Sequence, residues 1–149
     1  MTSKASIGGH PIHSMLVSFP IGLWTTSFAA DVLFYFRREW TGLLFVSKFM
    51  IAAGCLGAIA AAIPGIIDWL SITDRAVVKI ANWHARLNII ALIIFAISLY
   101  FRMRAGAHWV HYNMRIPFLL SFLGVALVSI SSWLGGELTF KHGVGKSAP

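Results

Sequence analysis

Histidines are the residues of this sequence best able to do chemistry. His10 and His13 lie three residues apart in the segment Gly8–Ser14, where a long apolar run begins. Residues with this spacing share one face of a helix, and Pro11 suits the first helical turn with His10 as its cap. The remaining histidines are His84, His108, His111 and His142. Because neutral imidazole is the commonest metal ligand in proteins, the sequence indicates a metal or haem site if the fold brings several histidines together.

The composition indicates a protein that lies in a membrane. Of its 149 residues, 58% are hydrophobic and 11% are charged, and the mean hydropathy is +0.77. Soluble domains have about 25% charged residues. The net charge of +7 suits loops that face lipid headgroups. Nucleic acid is not expected as a partner, because the sequence has no basic run interleaved with aromatic residues. Cys55 is the one cysteine and lies in an apolar run, which predicts a packing residue rather than a disulfide.

Four apolar stretches cover residues 14–36, 43–70, 80–101 and 116–138. Each reaches the length of about 20 residues that a helix needs to cross a hydrocarbon core. The first exceeds the about 7–15 residues of a signal-peptide core, so we expect it to remain as a helix. Short connections between four such helices predict an all-α, up-down-up-down bundle that forms a single transmembrane domain over residues 1–149. No internal repeat is evident.

This topology gathers polar residues at one end of the bundle. We call side A the end with residues 1–13, 71–79 and the tail from 139, and side B the end with residues 37–42 and 102–115. Lys4 precedes the first helix and Arg37 and Arg38 follow it, which favours side B in the cytoplasm and the termini on the outer face. The residues expected at side A are His10, His13, Asp68, Trp69, His84, Glu137 and His142.

The first interpretation of the side A cluster is a haem site. In an up-down-up-down bundle the first and third helices are diagonal, so His13 and His84 can approach haem b from opposite sides. His10 or His142 is a substitute for either ligand. Arg86 is a candidate partner for a haem propionate. Under this interpretation two neutral imidazoles from different helices are the axial ligands.

Two other interpretations remain open. In one, the histidines bind copper, zinc or iron together with Asp68 or Glu137. In the other, they are interfacial residues that hydrogen-bond headgroups or loops and hold no cofactor. Asn88 lies one turn after His84, and we expect it to orient that imidazole as supporting residues do around metal sites. No ligand spacing here is specific enough to decide among the three.

Asp31 is an acidic residue within the first apolar run. It lies eighteen residues after His13, which is five whole turns or about 27 Å along a helix, so it is on the same face near side B. One interpretation is a proton relay, because acids inside membranes often belong to such chains. The other, slightly favoured, is an ion pair with Arg37, Arg38 or Lys48.

Two further kinds of site are not expected. His108 and His111 are three residues apart at side B, but no third ligand from another side B segment accompanies them. Nucleophilic catalysis is not expected either, because the sequence has no Gly-x-Ser-x-Gly elbow and Cys55 lies in apolar sequence. If the protein is an enzyme, it is a membrane oxidoreductase or an electron-transfer component.

Several sequence blocks resemble a bacterial family known as domain of unknown function 2231. The blocks are Gly9–Trp24, Pro64–Trp69, His84–Asn88, Leu134–Leu138 and His142–Gly145. The resemblance implies a four-helix protein of the bacterial inner membrane. Some relatives look to be fused to Rieske-type iron–sulfur domains, which favours a redox role. This chain lacks the cysteine and histidine pairs of such a cluster, so a partner of that kind would be a separate protein.

Taken together, these features predict a small membrane redox protein that binds haem b at side A through histidines. It would pass electrons between a quinone or membrane partner and an acceptor near that face. The alternatives are a protein that binds or handles copper, zinc or iron, and a structural subunit or sensor without a cofactor. The expected surroundings are the lipid bilayer, and a homo-oligomer remains open.

Overall fold

The structure is a computed structural model that describes residues 2–104 and 114–146. Four stretches in this part of the chain are long and apolar enough to cross a membrane: residues 12–36, 42–70, 75–104 and 115–140. This confirms the predicted all-α four-helix fold. The elements are β1 (Ser6–Ile7), β2 (His10–Pro11), α1 (Ile12–Leu16), α2 (Ser18–Phe36), α3 (Gly42–Leu70), α4 (Arg75–Arg104) and α5 (Arg115–Phe140).

The first spanning segment begins differently from the prediction. His10 does not cap a helix: it pairs with Ile7 in the hairpin of β1 and β2. Gly8 and Gly9 form the hairpin turn with φ angles of 56° and 80°, because a two-residue turn of this hand requires positive φ at both positions. Pro11 is the residue before α1 and has extended backbone angles. The hairpin therefore ends at Pro11, immediately before α1 begins at Ile12.

The third spanning helix, α4, is longer than hydropathy predicts. It begins at Arg75 rather than near Ile80, because the Asp74 carboxylate accepts hydrogen bonds from the backbone N–H groups of Ala76 (2.7 Å) and Val77 (3.4 Å). Such a side chain satisfies donors that have no partner within the helix. Nine residues of α4 therefore precede His84, compared with four in the predicted helix.

The helices pack as two helical hairpins, one formed by α2 and α3 and the other by α4 and α5. Contacts are most extensive between α2 and α3 and between α4 and α5, and the hairpins meet along α3–α4 and α2–α5. The order around the bundle is therefore α2, α3, α4, α5, with α2 and α4 on a diagonal. Large apolar side chains such as Leu56, Ile63 and Trp133 are exposed on the outside. This exposure is what contact with lipid requires, because hydrocarbon is the solvent there.

An aromatic pair fills the centre of the bundle across that diagonal. The rings of Trp24 and Phe95 stack with centroids 4.4 Å apart and an interplanar angle of 11°. Each ring rests on a glycine: a Cβ at Gly54 would lie 2.5 Å from Trp24 Nε1, and one at Gly124 would lie 2.6 Å from Phe95 Cε2. Any larger residue at these glycines would therefore displace an aromatic ring.

The two hairpins occupy equivalent positions about this centre. Corresponding residues of α1–α2 and α4 are 71 apart in sequence, and those of α3 and α5 are 70 apart. An approximate two-fold axis parallel to the helices therefore relates the halves, although no repeat is evident in the sequence. The equivalent pairs are His13 and His84, Trp24 and Phe95, Asp31 and Arg102, Gly54 and Gly124, and Gly65 and Gly135.

Side A is closed by chain segments from both ends of the sequence. Thr2 pairs with Lys146 in a parallel bridge, and the N–H of Ser3 donates to the carbonyl of Lys146 at 3.0 Å. Beneath them, Ile72, Val77, Ala81 and Leu138 form an apolar cluster. The N-terminus, the α3–α4 connection, the end of α5 and the tail therefore share one end, as the topology predicted.

Candidate functional site

Two of the predicted site histidines meet across the axis at side A. The ring centroids of His13, from α1, and His84, from α4, are 6.4 Å apart, and the ring planes are perpendicular at 89°. Both residues are half-buried. His13 belongs to the first spanning helix and His84 to the third, and these two helices lie on a diagonal of the bundle, as predicted.

His13 is held by the backbone of α3. Its Nδ1 lies 2.8 Å from the carbonyl oxygen of Ala61. In an α-helix that carbonyl lies beside residue 65, whose N–H it accepts. Gly65 has no side chain to cover it, and a Cβ there would come within 2.7 Å of His13 Nδ1. The glycine therefore opens the carbonyl to the imidazole.

His84 is held in the same way by α5. Its Nδ1 lies 2.8 Å from the carbonyl oxygen of Ser131, and a Cβ at Gly135 would lie 3.0 Å from its Cε1. The Ser131 hydroxyl, itself buried, donates to the backbone carbonyl of His84 at 3.1 Å. The arrangement at His13 is thus repeated, with one added side-chain bond.

These contacts define the tautomer of both imidazoles. A carbonyl oxygen only accepts, so each Nδ1 carries the hydrogen, and a neutral ring then has its lone pair on Nε2. The amide of Asn88 lies 3.1 Å from His84 Nε2 and donates to it, and it also donates to the His84 carbonyl at 3.0 Å. Asn88 therefore orients His84, as its position one turn away suggested.

The two imidazoles have the chemistry of metal ligands, with ring centroids 6.4 Å apart and one hydrogen-bonded nitrogen on each. Metal-ligating histidines usually donate their other N–H to a carbonyl or carboxylate, which fixes the ring and raises its basicity. His13 and His84 both have such a bond.

The structure does not bring the other candidate ligands into this pair. His10 is exposed, and its Nδ1 contacts the Gly8 carbonyl at 3.0 Å. His142 is exposed beyond α5, and its N–H donates to the Glu137 carbonyl at 3.3 Å. Arg86 is also exposed, with its guanidinium 5.6 Å from the ring centroid of Trp83. His108 and His111 lie outside the described residues.

The two acids expected near the histidines have other roles. Asp68 is buried and accepts hydrogen bonds from the Lys4 N–H (2.8 Å), the Ala5 N–H (3.2 Å) and the Ser3 hydroxyl (2.9 Å). It therefore anchors the N-terminal segment over side A. Within residues 2–104 and 114–146, no group of three or more histidine, cysteine, aspartate or glutamate residues is arranged to hold a metal ion.

The remaining supporting residues form local bonds. Glu137 pairs with Lys141 one turn later at 3.2 Å. The indole N–H of Trp69 donates to the amide oxygen of Asn82 at 2.9 Å and joins α3 to α4. In this structure Asp68 therefore bonds to the N-terminal segment and Glu137 to Lys141.

Asp31 has a partner that the sequence reasoning did not identify. It forms a buried ion pair with Arg102, whose Nη1 lies 2.9 Å from Oδ1, and it accepts a 2.7 Å bond from Ser47. The expectation of Arg37 or Arg38 was wrong: Arg37 pairs with Glu39, and Arg38 stacks on aromatic rings of α2.

Arg102 was missed because hydropathy ended the third helix at residue 101 and assigned this arginine to a loop. In the structure it lies inside α4 and is 6% exposed. Its other partners include the hydroxyls of Ser98 (3.3 Å) and Ser121 (3.1 Å). Two hydroxyls and a carboxylate thus stabilise a charge that lipid would reject.

The four spanning helices and the polar groups along their axis define a multi-pass integral membrane protein. The chain belongs to the family described as predicted membrane protein (DUF2231), whose sequence profile matches residues 9–148. This confirms the resemblance seen in the sequence blocks. No curated protein and no solved structure matches the chain.

Proposed function

We propose that this protein is a small membrane redox protein that binds haem b between His13 and His84 and takes part in electron transfer. One observation carries the proposal: two imidazoles from opposite hairpins, 6.4 Å apart, each donate Nδ1–H to a backbone carbonyl. Each neutral ring therefore has its lone pair on Nε2, and at His84 a metal would replace the Asn88 amide that donates to this nitrogen. The haem would supply one-electron exchange at side A.

The chain's own residues would fix the ligands before the haem arrives. The carbonyls of Ala61 and Ser131 hold the two rings, and bonds of this kind orient a ligand and raise its basicity. Asn88 donates to His84 Nε2, so ligation there requires this amide to move aside. The carbonyl bonds of the two Nδ1 atoms remain in place during ligation, and preorganisation of this sort lowers the entropic cost of binding.

The number of ligands favours haem over a bare metal ion. Two axial imidazoles complete the coordination of haem iron, whereas zinc sites use three or four protein ligands. In the part of the chain that the structure describes, only a pair of imidazoles meets. Copper, zinc or iron handling is therefore the weaker proposal, because further ligands would have to come from outside the described residues.

The proposal includes the surroundings of the site. We place the protein in the bacterial inner membrane with its termini and the histidine pair on the outer side, because the arginine pair follows the first helix. A quinone or a separate redox protein would exchange electrons at side A. Arg86 is exposed at this end and is the proposed partner for a propionate.

Absorption spectra of protein purified after haem-replete expression test the proposal. We expect a Soret band and sharp α and β bands on reduction. Replacing His13 or His84 with alanine should abolish or shift these bands. Replacing His10, His142 or His108 should leave them unchanged. An unchanged spectrum in both His13→Ala and His84→Ala, or a colourless protein with stoichiometric copper or zinc, would refute haem ligation by this pair.

A further inference from the structure

The N-terminal segment, residues 2–5, crosses side A in the layer above the histidine site. Its anchor, Asp68, lies three residues after Gly65, on the same inner face of α3 and about 4.5 Å closer to side A. Gly65 is the residue whose Cβ would meet the His13 ring. From the tail, a Cβ at Gly145 would lie 3.7 Å from Asp68 Oδ2. The N-terminal segment and the tail therefore meet about one helical turn above His13.

The carboxylate of Asp68 is directed at this segment. Its Oδ1 accepts hydrogen bonds from the backbone N–H groups of Lys4 at 2.8 Å and Ala5 at 3.2 Å, and the Ser3 hydroxyl lies 2.9 Å from both oxygens. The residue is 5% exposed, and no cation among the described residues pairs with it. Hydrogen bonds to an ionised group are stronger than neutral ones. The segment therefore satisfies a buried charge and is held firmly by it.

The same segment joins the two helical hairpins. The Ser3 N–H donates to the carbonyl of Lys146 at 3.0 Å, and Thr2 forms a parallel bridge with Lys146. Lys146 follows α5 in the second helical hairpin, whereas Asp68 belongs to α3 in the first. The segment therefore ties the helical hairpins together at the end where the two imidazoles meet. Any parting of the helical hairpins at side A must break these bonds.

We propose that residues 2–5 form a latch over the histidine pair, that Asp68 holds the latch closed, and that its opening sets the rate at which a planar ligand enters and leaves. The inference rests on the proposed function only for the identity of that ligand, haem b. The hydrogen bonds of His13 and His84 go to other residues than the latch. Opening the latch therefore changes access to the imidazoles without changing their orientation. Association and dissociation of the ligand should accelerate together, and the affinity should stay the same.

The first test measures the latch without haem. Diethyl pyrocarbonate acylates accessible imidazoles, and mass spectrometry of the full chain in detergent locates the acylated residues. In Asp68→Asn we expect His13 and His84 to react about 10-fold faster, because loss of one hydrogen bond to a charged group shifts an opening equilibrium at least that far. His10 and His142 are already exposed, so they are internal references whose rates should not change.

Two further variants separate the latch from general effects of the substitution. Asp74→Asn is the matched control, because this side A carboxylate caps α4 and asparagine caps helices equally well. Ser3→Ala removes the hydroxyl from the latch and leaves the two backbone bonds to Asp68, so it should give a smaller acceleration. Helical content measured by circular dichroism should be the same in all three. Wild-type reactivity of both imidazoles in Ser3→Ala, or in a folded Asp68→Asn protein, would overturn the latch.

The second test follows haem b by stopped-flow absorption. In Asp68→Asn the association and dissociation rate constants should both rise about 10-fold, with the dissociation constant unchanged. A rise in dissociation alone would overturn the latch, because Asp68 would then support the ligands rather than control access. Wild-type rates would also overturn it, since the ligand would enter between the helices from the lipid. If the wild-type chain binds no haem, the proposed function fails, while the acylation rates still decide on the latch.

Discussion

Replacing Gly65 with alanine perturbs one histidine of the pair and leaves the rest of the bundle intact. The added Cβ would lie 2.7 Å from His13 Nδ1 and 2.8 Å from Cε1. Ordinary contacts between non-bonded carbon atoms are about 3.5–4.0 Å, so the ring must retreat by about 1 Å. The 2.8 Å contact between Nδ1 and the Ala61 carbonyl would then exceed the length of a hydrogen bond.

The expected change in the free energy of unfolding is small. Loss of the hydrogen bond costs about 0.5–1.5 kcal/mol, but alanine is better than glycine inside a helix by about 0.5–1 kcal/mol. These terms oppose each other, and the half-buried His13 ring can move away from the new Cβ, unlike the fully buried Phe95 ring beside Gly124. The Gly65→Ala protein should therefore fold with its stability changed by less than about 1 kcal/mol. The measurable effect should therefore appear at the imidazole.

Haem titration followed by absorption spectroscopy is the assay for this effect. Loss of a supporting bond to a metal ligand typically costs 10- to 100-fold in metal affinity, so Gly65→Ala should bind haem about 10- to 100-fold more weakly. Gly135→Ala should have a smaller effect, since its Cβ would lie 3.0 Å from His84 Cε1 and 3.4 Å from Nδ1. Gly136→Ala, where the nearest atom is 3.8 Å away, is the control.

Wild-type haem affinity in a folded Gly65→Ala protein would refute this reasoning. It would show that the bond from His13 to the Ala61 carbonyl does not position a ligand. An equal loss in Gly65→Ala and in Gly136→Ala would also refute it, because the effect would then follow from alanine in a helix rather than from contact with the ring.

Two further predictions concern the buried ion pair of Asp31 with Arg102 and the aromatic pair of Trp24 with Phe95. Asp31→Asn should destabilise the protein by about 3–5 kcal/mol in denaturant unfolding, because it leaves the buried charge of Arg102 without its counter-ion; Glu39→Gln, which removes an exposed pair, should change stability by less than about 1 kcal/mol. Gly124→Ala should lower the thermal midpoint, since its Cβ would lie 2.6 Å from the Phe95 ring and overpacking costs about 1–3 kcal/mol. Gly22→Ala, with nothing within 4 Å, should not, and equal midpoints for both glycine variants would contradict the packing argument.

Hydropathy and loop length were enough to predict the helices and the meeting of His13 with His84. Apolar runs of this length must form helices in lipid, and short connections force neighbouring helices to be antiparallel. Histidines near the start of the first and third helices then lie at one end. The hydrogen bonds that hold the two imidazoles were not predictable. They depend on Gly65 and Gly135, which leave the carbonyls of Ala61 and Ser131 uncovered on α3 and α5.

The buried ion pair and the two-fold arrangement could not be predicted in the same way. The hydropathy average falls at Arg102 because this residue is charged. The average contains no information about its partner Asp31, which lies 71 residues away on another helix. Equivalent positions are occupied by unlike residues, such as Asp31 and Arg102, so residue identity hides the repeat. The signal that was available is a spacing. Eleven residues, about three helical turns, separate His13 from Trp24, Gly54 from Gly65, His84 from Phe95 and Gly124 from Gly135.

Electron paramagnetic resonance of the ferric protein reconstituted with haem b tests the central claim most directly. The imidazole planes of His13 and His84 are perpendicular at 89°. Axial imidazoles in that orientation give a low-spin signal with strongly anisotropic g-values, and this is the predicted result. A high-spin signal, or a low-spin signal that persists unchanged in His13→Ala and His84→Ala, would contradict ligation by this pair.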